Sequence, residues 1–180
     1  MMFPDQLKTL VEEMCESENR AVYCPILEAD LSGFLYHLIL SKGICSPARI
    51  HLDTRVVEST SKNNRFDVVI GELARRQDDR PAVSPEVVIE IKMFPYGFTD
   101  QQHRVHFEHV LNDDLRKLAS VKGENLARIE FLFDQVDYLD GTYSGRLRRD
   151  VLLARRAETA AGVNFLLAQR KAENWEVVVT

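Results

Sequence analysis

The feature that most constrains this chain is an apolar segment that holds two charged residues, Val87-Val88-Ile89-Glu90-Ile91-Lys92-Met93-Phe94. Its β-branched and aromatic residues are typical of a buried β-strand. Because side chains alternate between the two faces of a strand, Glu90 and Lys92 share one face. Moving an isolated charge out of water costs several kcal/mol, so buried charges are normally paired or bind a metal. The segment therefore predicts a strand that belongs to an active site.

A second strand is predicted earlier in the chain, at Arg65-Phe66-Asp67-Val68-Val69-Ile70. Alternation places Asp67 on the face opposite to Phe66. A polar segment without apolar periodicity, residues 75–84, lies between the two strands. Asp67 precedes that segment and Glu90 follows it, at similar distances along the chain. We therefore expect an antiparallel pairing of the two strands to bring them close together.

Two facing carboxylates repel each other unless a cation lies between them. Such oxygen ligands suit Mg²⁺ or Mn²⁺, which keep several waters and accept phosphate oxygens. Lys92, one pleat further along the same face, is placed to contact a metal-bound water or the charge that develops on a phosphate. The alternative is that Glu90 and Lys92 form an ordinary ion pair on an edge strand and that Asp67 merely starts a strand.

The remaining pattern predicts an α/β fold, a central mixed β-sheet flanked by helices on both faces. Helices are predicted at residues 7–19, from about Pro25 to Gly43, at 99–121 and at 144–170, and further strands at 49–57, 127–133 and 175–179. We interpret the chain as one domain. It comprises an N-terminal helical part at residues 1–24, a core at 25–133 and a C-terminal helix and strand at 144–180.

Composition limits the function classes. The chain of 180 residues is long enough for one domain with a sizeable core. Its formal charge of −5 argues against a generic nucleic-acid coat, but not against an enzyme with a local basic patch and bound cations. No stretch is apolar enough to span a membrane, and the start lacks the pattern of a signal peptide. Cys15, Cys24 and Cys45 have no Cys-x-x-Cys spacing, so we expect reduced thiols and a cytoplasmic location.

Phe66-Asp67, followed after a gap by Glu90-Ile91-Lys92 in an apolar strand, resembles the motif of the PD-(D/E)xK nuclease superfamily. The resemblance implies a restriction-endonuclease-like α/β/α core over residues 25–133, and hydrolysis of DNA phosphodiester bonds with Mg²⁺ or Mn²⁺. Phe66 stands where the motif has proline, as in many such enzymes. No Gln-x-x-x-Tyr follows Lys92, which argues against the exonuclease branch related to the RecB nuclease domain.

The same resemblance implies roles for individual residues. Asp67 and Glu90 are the expected metal ligands, with the carbonyl of Ile91 as a further ligand. Lys92 is expected to orient the attacking water or to stabilise charge. Many members also place a glutamate on the first core helix beside the metal, and Glu28 is the candidate. The alternative for Glu28 is a negative charge in the first helical turn, where the helix dipole favours it.

Further residues are candidate nucleic-acid contacts. His103 lies on the helix after the site and nearest its apolar side, with His106 and His109 at intervals of three, a spacing that favours a surface or substrate-facing cluster over a zinc site. Arginines on the C-terminal helix and between the two motif strands are also placed to contact phosphates. They are Arg148, Arg149, Arg155 and Arg156, and Arg75, Arg76 and Arg80. The alternative for the helical arginines is a solvated face. Asp114 and Lys117 are interpreted as an ion pair that flanks the core.

The leading hypothesis is therefore a Mg²⁺- or Mn²⁺-dependent deoxyribonuclease, an endonuclease that takes its specificity from DNA structure, from a homodimer or from a partner protein. One alternative is a catalytically inactive nuclease fold that serves as a nucleic-acid- or protein-binding module. Another is a small α/β interaction protein with no role at nucleic acids, which the net acidity favours.

Overall fold

The computed structural model describes residues 4–20, 24–57, 65–105, 107, 111–139, 152, 154, 157, 158 and 160–180. The helices are α1 (Pro4–Asn19), α2 (Glu28–Ser41), α3 (Asp100–Val105) and α4 (Leu111–Ala119), with a 3₁₀ turn at Pro47–Arg49. The strands are β1 (Ile50–Arg55), β2 (Arg65–Arg75), β3 (Pro81–Phe94), β4 (Ala127–Asp134), β5 (Val163–Lys171) and β6 (Asn174–Val179). None of these helices is long and apolar enough to cross a membrane.

The described strands form one sheet in the order β1-β2-β3-β4-β5-β6. β1, β2 and β3 pair antiparallel, β3, β4 and β5 pair parallel, and β6 returns antiparallel to β5. The sheet is therefore mixed, as predicted. β3 lies inside the sheet, where its last eight residues pair with β4, so its charged side chains do not lie on an edge strand.

Helices cover both faces of this sheet. On one face, α1 and α2 pack on an apolar cluster that includes Leu7, Leu31, Ile89 and Ile91. On the other face, α4 packs on a second cluster through buried leucines such as Leu115. The predicted α/β class, with helices on both faces of a mixed sheet, is confirmed. Glu90 and Lys92 point to the α4 side, because they alternate with residues of the first cluster.

The prediction of a helix up to residue 170 is wrong in its last part, because Val163–Lys171 is strand β5. Leu166 and Leu167 are both buried, on opposite faces of the sheet. A strand covered on both faces has a continuous apolar run, which periodicity alone does not distinguish from a buried helix. Residues 144–151 lie outside the described part.

Three other boundaries differ from the predictions. α2 begins at Glu28 and not at Pro25, because the carboxylate of Asp30 accepts the backbone N–H groups of Ile26 and Leu27 at 2.9 and 2.8 Å. Half of the polar segment at 75–84 is strand, because β2 extends to Arg75 and β3 begins at Pro81, on either side of a hairpin turn. The predicted helix at 99–121 is described as α3 and α4, and residues 106 and 108–110 lie outside the description.

One side chain also departs from simple alternation. Phe66 belongs to the cluster under α4, together with Val69, and not to the cluster that holds Val68. Its ring lies beneath the ammonium group of Lys117, whose Nζ is 4.8 Å from the ring centroid. Phe66 is the second residue of β2, near one end of the strand.

Candidate active site

The pairing of β2 with β3 brings the two sequence motifs together. Val68 pairs with Ile89, so the same antiparallel register places Asp67 opposite Glu90. Asp67 Oδ2 accepts a hydrogen bond from the backbone N–H of Ile91 at 2.7 Å. This bond joins the start of β2 to the centre of the Glu90-Ile91-Lys92 segment. The predicted proximity of the two motifs is confirmed.

Glu28 reaches the same place from the first turn of α2. Its Oε1 accepts a hydrogen bond from the backbone N–H of Met93 at 3.2 Å and lies 3.1 Å from Nζ of Lys92. Glu28 also lies in the first turn of α2, where the helix dipole favours a negative charge. The structure therefore places Glu28 beside the motif residues.

Helix α4 supplies two further charges from above the sheet. Asp114 Oδ2 lies 3.3 Å from Nζ of Lys92, and Lys117 Nζ contacts Oε1 of Glu90. The two residues are one helical turn apart, so both point down onto β3. The predicted ion pair that flanks the core is thus part of the site itself, because each member is paired with a charged residue of β3.

Glu130 is a site residue that sequence reasoning missed. It lies on β4 directly opposite Glu90 in the parallel register, and it is fully buried. Neither of its carboxyl oxygens has a hydrogen-bond partner within the described part of the chain. A signal was available, since Arg128-Ile129-Glu130-Phe131 places one acid inside an apolar strand, as at Glu90. That strand carries no second residue of the motif, so the sequence alone did not indicate a site there.

Burial shifts the protonation of these groups. Loss of solvation raises the pKa of Glu90 to about 8; the nearby Asp67 carboxylate adds to this effect and Lys117 opposes it. Burial likewise raises the pKa of Asp67 and of Asp114, and it raises that of Glu130 well above its ordinary value. For Lys92, burial acts to lower the pKa, but Asp114 and Glu28 hold it above the usual lysine range. Lys92 is therefore positively charged, and the carboxyl groups around it outnumber the ammonium groups that could pair with them.

The charge balance and the donor atoms fit a hard divalent cation. Five carboxyl groups lie around two ammonium groups; they belong to Glu28, Asp67, Glu90, Asp114 and Glu130, and the ammonium groups to Lys92 and Lys117. Among the described residues, however, no three His, Cys, Asp or Glu side chains are arranged to hold a metal ion. Carboxylate oxygens are nevertheless the donors that an ion such as Mg²⁺ takes, usually one or two of them with a shell completed by water.

His103 does not face a substrate, so that prediction is wrong. Its side chain is fully buried, and its ring lies 5.9 Å from that of Phe94, 5.4 Å from that of Phe98 and 5.0 Å from that of Tyr138. The histidine lies on the apolar side of α3, and this side is packed against aromatic rings. His106 and His109 lie outside the described residues.

The structure does not bring the hairpin arginines to the site. Arg75 and Arg76 lie at the far end of β2, where they pair with Asp79 at 2.9 Å and Asp78 at 3.9 Å. Eight residues of strand separate Arg75 from Asp67, which at about 3.3 Å per residue is roughly 26 Å. The C-terminal arginines, Arg148, Arg149, Arg155 and Arg156, lie outside the described residues.

A cleft of about 350 Å³ opens beside the site, and it was not predicted. Its lining includes Glu28, Met93 and Phe98, together with Ile26 and Leu27. The two last side chains are unusually exposed for apolar residues, at 74% and 63%. The cleft is therefore largely apolar and adjoins Glu28, which pairs with Lys92.

No family model matches this chain, and no curated protein is similar to it. A solved structure, that of Pyrococcus furiosus SfsA in complex with Ca²⁺, shows 14% sequence identity and a TM-score of 0.28. The match covers 83% of this chain and 61% of SfsA, so the chain spans less than two thirds of that protein's length. At this TM-score the similarity carries no argument about fold or function, and the function has to be argued from the site.

Proposed function

We propose that this protein is a metal-dependent nuclease that hydrolyses phosphodiester bonds in DNA. One observation carries the proposal: Asp67, Glu90 and Lys92, from two paired strands, meet on one face of a largely apolar sheet. Glu90 and Lys92 are buried and Asp67 is half-buried beside them. Burying ionisable groups is costly, and it is typical of sites whose chemistry requires them. The residue types and their order also match the resemblance to the PD-(D/E)xK nucleases.

In the proposed mechanism, Asp67 and Glu90 are the protein ligands of Mg²⁺ or Mn²⁺, with the Ile91 carbonyl as a further donor. When bound, such an ion lowers the pKa of a coordinated water and neutralises charge on the phosphate. The hydrogen bond from the Ile91 N–H fixes the orientation of the Asp67 carboxylate. Both carboxyl groups must be ionised to bind the ion, so the pKa of Glu90, raised to about 8, makes metal binding at neutral pH release a proton.

Lys92 is proposed to stabilise the negative charge that develops on the phosphate during attack by water. Its ammonium group stays protonated because Glu28 and Asp114 lie within 3.1 and 3.3 Å of Nζ. A charged donor that is already in place, in a site with little water, stabilises a transition state more than a mobile one. Glu28 and Asp114 therefore act as positioning residues for Lys92.

The test is Mg²⁺- or Mn²⁺-dependent nicking of supercoiled plasmid by the wild type and by Asp67→Asn and Lys92→Met. We expect each substitution to reduce the rate by about 100-fold or more, the loss typical of removing one preorganised group in an active site. Lys171→Met is the matched control, because Lys171 is half-exposed and pairs with Glu176 far from β3. Chelation with EDTA should abolish nicking by the wild type.

Two other outcomes favour the alternatives. Plasmid or oligonucleotide binding without metal-dependent cleavage would support an inactive nuclease fold that acts as a binding module. Neither binding nor cleavage, on any DNA form, would support an interaction protein with no role at nucleic acids. If the wild type does cleave, one site per chain cuts one strand, so we expect double-strand breaks only from a dimer or with a partner protein.

A further inference from the structure

Lys117 already contacts a carboxylate oxygen of Glu90, one of the proposed metal ligands. Its Nζ contacts Oε1 of Glu90, and both side chains are nearly buried, at 16% and 5% exposed. The Nζ also lies 4.8 Å above the centroid of the Phe66 ring, a cation–π contact that holds it in place. An ammonium group from α4 is therefore fixed at the position where a cation meets Glu90.

An ammonium group and a divalent cation cannot share one carboxylate oxygen at contact distance. Two positive charges a few ångströms apart repel strongly where little water screens them. The other described carboxylates within one turn of Lys117 on α4 are Asp113 and Asp114, which are already paired with Arg116 and Lys92. When Lys117 leaves Glu90, α4 therefore offers it no carboxylate that is still without a basic partner.

We propose that Lys117 competes with the divalent cation for Glu90, and that the displaced ammonium group becomes a ligand of the substrate phosphate. This inference rests on the metal site of the proposed function. A buried, unpaired ammonium group is costly, so Lys117 must find another anion close by. A phosphate bound over Glu90 and Lys92 brings that anion, and the flexible four-carbon stem of lysine allows the move. Binding of metal and binding of substrate are then coupled through one side chain.

The first test uses the wild-type protein and needs no substitution. The protein is treated with an amine-acetylating reagent with and without saturating Mn²⁺, and each lysine is quantified by mass spectrometry. We expect acetylation of Lys117 to increase when Mn²⁺ is present, because its contact with Glu90 is lost. Lys171 is the internal control and should not change, since it is paired with Glu176 away from the site. Equal labelling of Lys117 in both conditions overturns the proposal.

The second test measures Mn²⁺ affinity calorimetrically in Lys117→Met. Removing a competing contact worth about 1.4 kcal/mol should tighten Mn²⁺ binding about tenfold. Arg116→Met is the matched control on the same helix, since Arg116 is 66% exposed and pairs with Asp113; its affinity should equal that of the wild type. At saturating Mn²⁺, Lys117→Met should nevertheless cleave DNA more slowly, because a phosphate ligand is missing. Tighter metal binding with slower cleavage is a combination that a purely structural role does not produce.

The outcomes separate this inference from the proposed function. If the wild type binds Mn²⁺ and Asp67→Asn does not, but Lys117→Met binds it no more tightly than the wild type, the competition is overturned and the metal site stands. If the wild type does not bind Mn²⁺ at all, both proposals fail. If Lys117→Met does not fold, as judged by circular dichroism, the acetylation of the wild type decides alone.

Discussion

Strand β3 has ion pairs near both of its ends, and they differ in almost every physical respect. At the hairpin end, Arg75 and Asp79 lie 2.9 Å apart with side chains 72% and 82% exposed. At the other end, Lys92 and Asp114 lie 3.3 Å apart with side chains 8% and 14% exposed. The distances are similar, so distance does not explain the difference between the two pairs. The difference lies in how far water solvates each charge.

At the hairpin, water solvates each charge whether or not the pair forms. Exposed pairs of this kind contribute between zero and about 1 kcal/mol to the free energy of unfolding, and salt weakens them further. Beneath α4, each charge depends on its protein partners, so burial shifts the pKa of Glu90 to about 8 and that of Glu130 upward as well. Acidic and basic side chains thus form a solvated turn at one end of β3. At the other end they form a buried cluster whose pKa values are shifted. Four changes, three substitutions and a change of pH, test how far this difference holds.

The largest effect is expected from Lys92→Met. Removing one member of a buried ion pair leaves uncompensated carboxylates at Asp114 and Glu28, which costs about 3 kcal/mol of the free energy of unfolding. Urea denaturation at neutral pH measures this directly. An unchanged or higher stability would show that the acids around Lys92 are neutral in solution, and the comparison between the two ends of β3 would then fail.

An intermediate effect is expected from pH. A carboxyl group with a raised pKa binds its proton more tightly in the folded state than in the unfolded state. The free energy of unfolding should therefore fall as pH rises from about 4.5, the ordinary value for glutamate, to about 8, the value for folded Glu90. Burial of Glu130 acts in the same direction.

Glu130→Gln isolates one part of this pH dependence. The amide is neutral at every pH, so we expect it to raise the free energy of unfolding at pH 8 by about 1 kcal/mol and to flatten the profile. Glu16→Gln is the control, because Glu16 is 67% exposed and pairs with Arg20 across one turn of α1. A loss of stability in Glu130→Gln would mean that the Glu130 carboxylate is ionised and has a partner. Urea denaturation at pH 5 and at pH 8 provides both measurements.

The smallest effect is expected from Arg75→Met at the hairpin. Its ion pair is exposed, so the free energy of unfolding should change by less than about 0.5 kcal/mol. The same variant tests whether the hairpin contacts DNA. If it does, the affinity for DNA should decrease and its dependence on salt should become shallower by about one phosphate contact, which a titration at several salt concentrations detects. Unchanged DNA binding would exclude Arg75 as a DNA contact. The functional end of β3 would then be the end beneath α4.

Several features of this protein were determined by the sequence alone. The alternation of side chains along a strand is a property of local backbone geometry, so Glu90 and Lys92 were predicted on one face before any fold was known. The polar segment between two apolar strands similarly predicted the antiparallel pairing that places Asp67 near Glu90. The mixed sheet with helices on both faces followed from the order of these local patterns.

Only the tertiary structure decided which other groups join them. Glu130 reaches the site because β4 pairs parallel to β3 in one particular register, and Lys117 because α4 lies across that face. The same long-range packing buries His103 and makes a strand of Val163–Lys171, where the sequence favoured a helix. Such contacts join residues far apart in the chain, and they depend on the free energy of packing the whole sheet. No local period encodes them, so the motif and Glu28 were predictable, and the positions of Glu130 and Lys117 beside the motif were not.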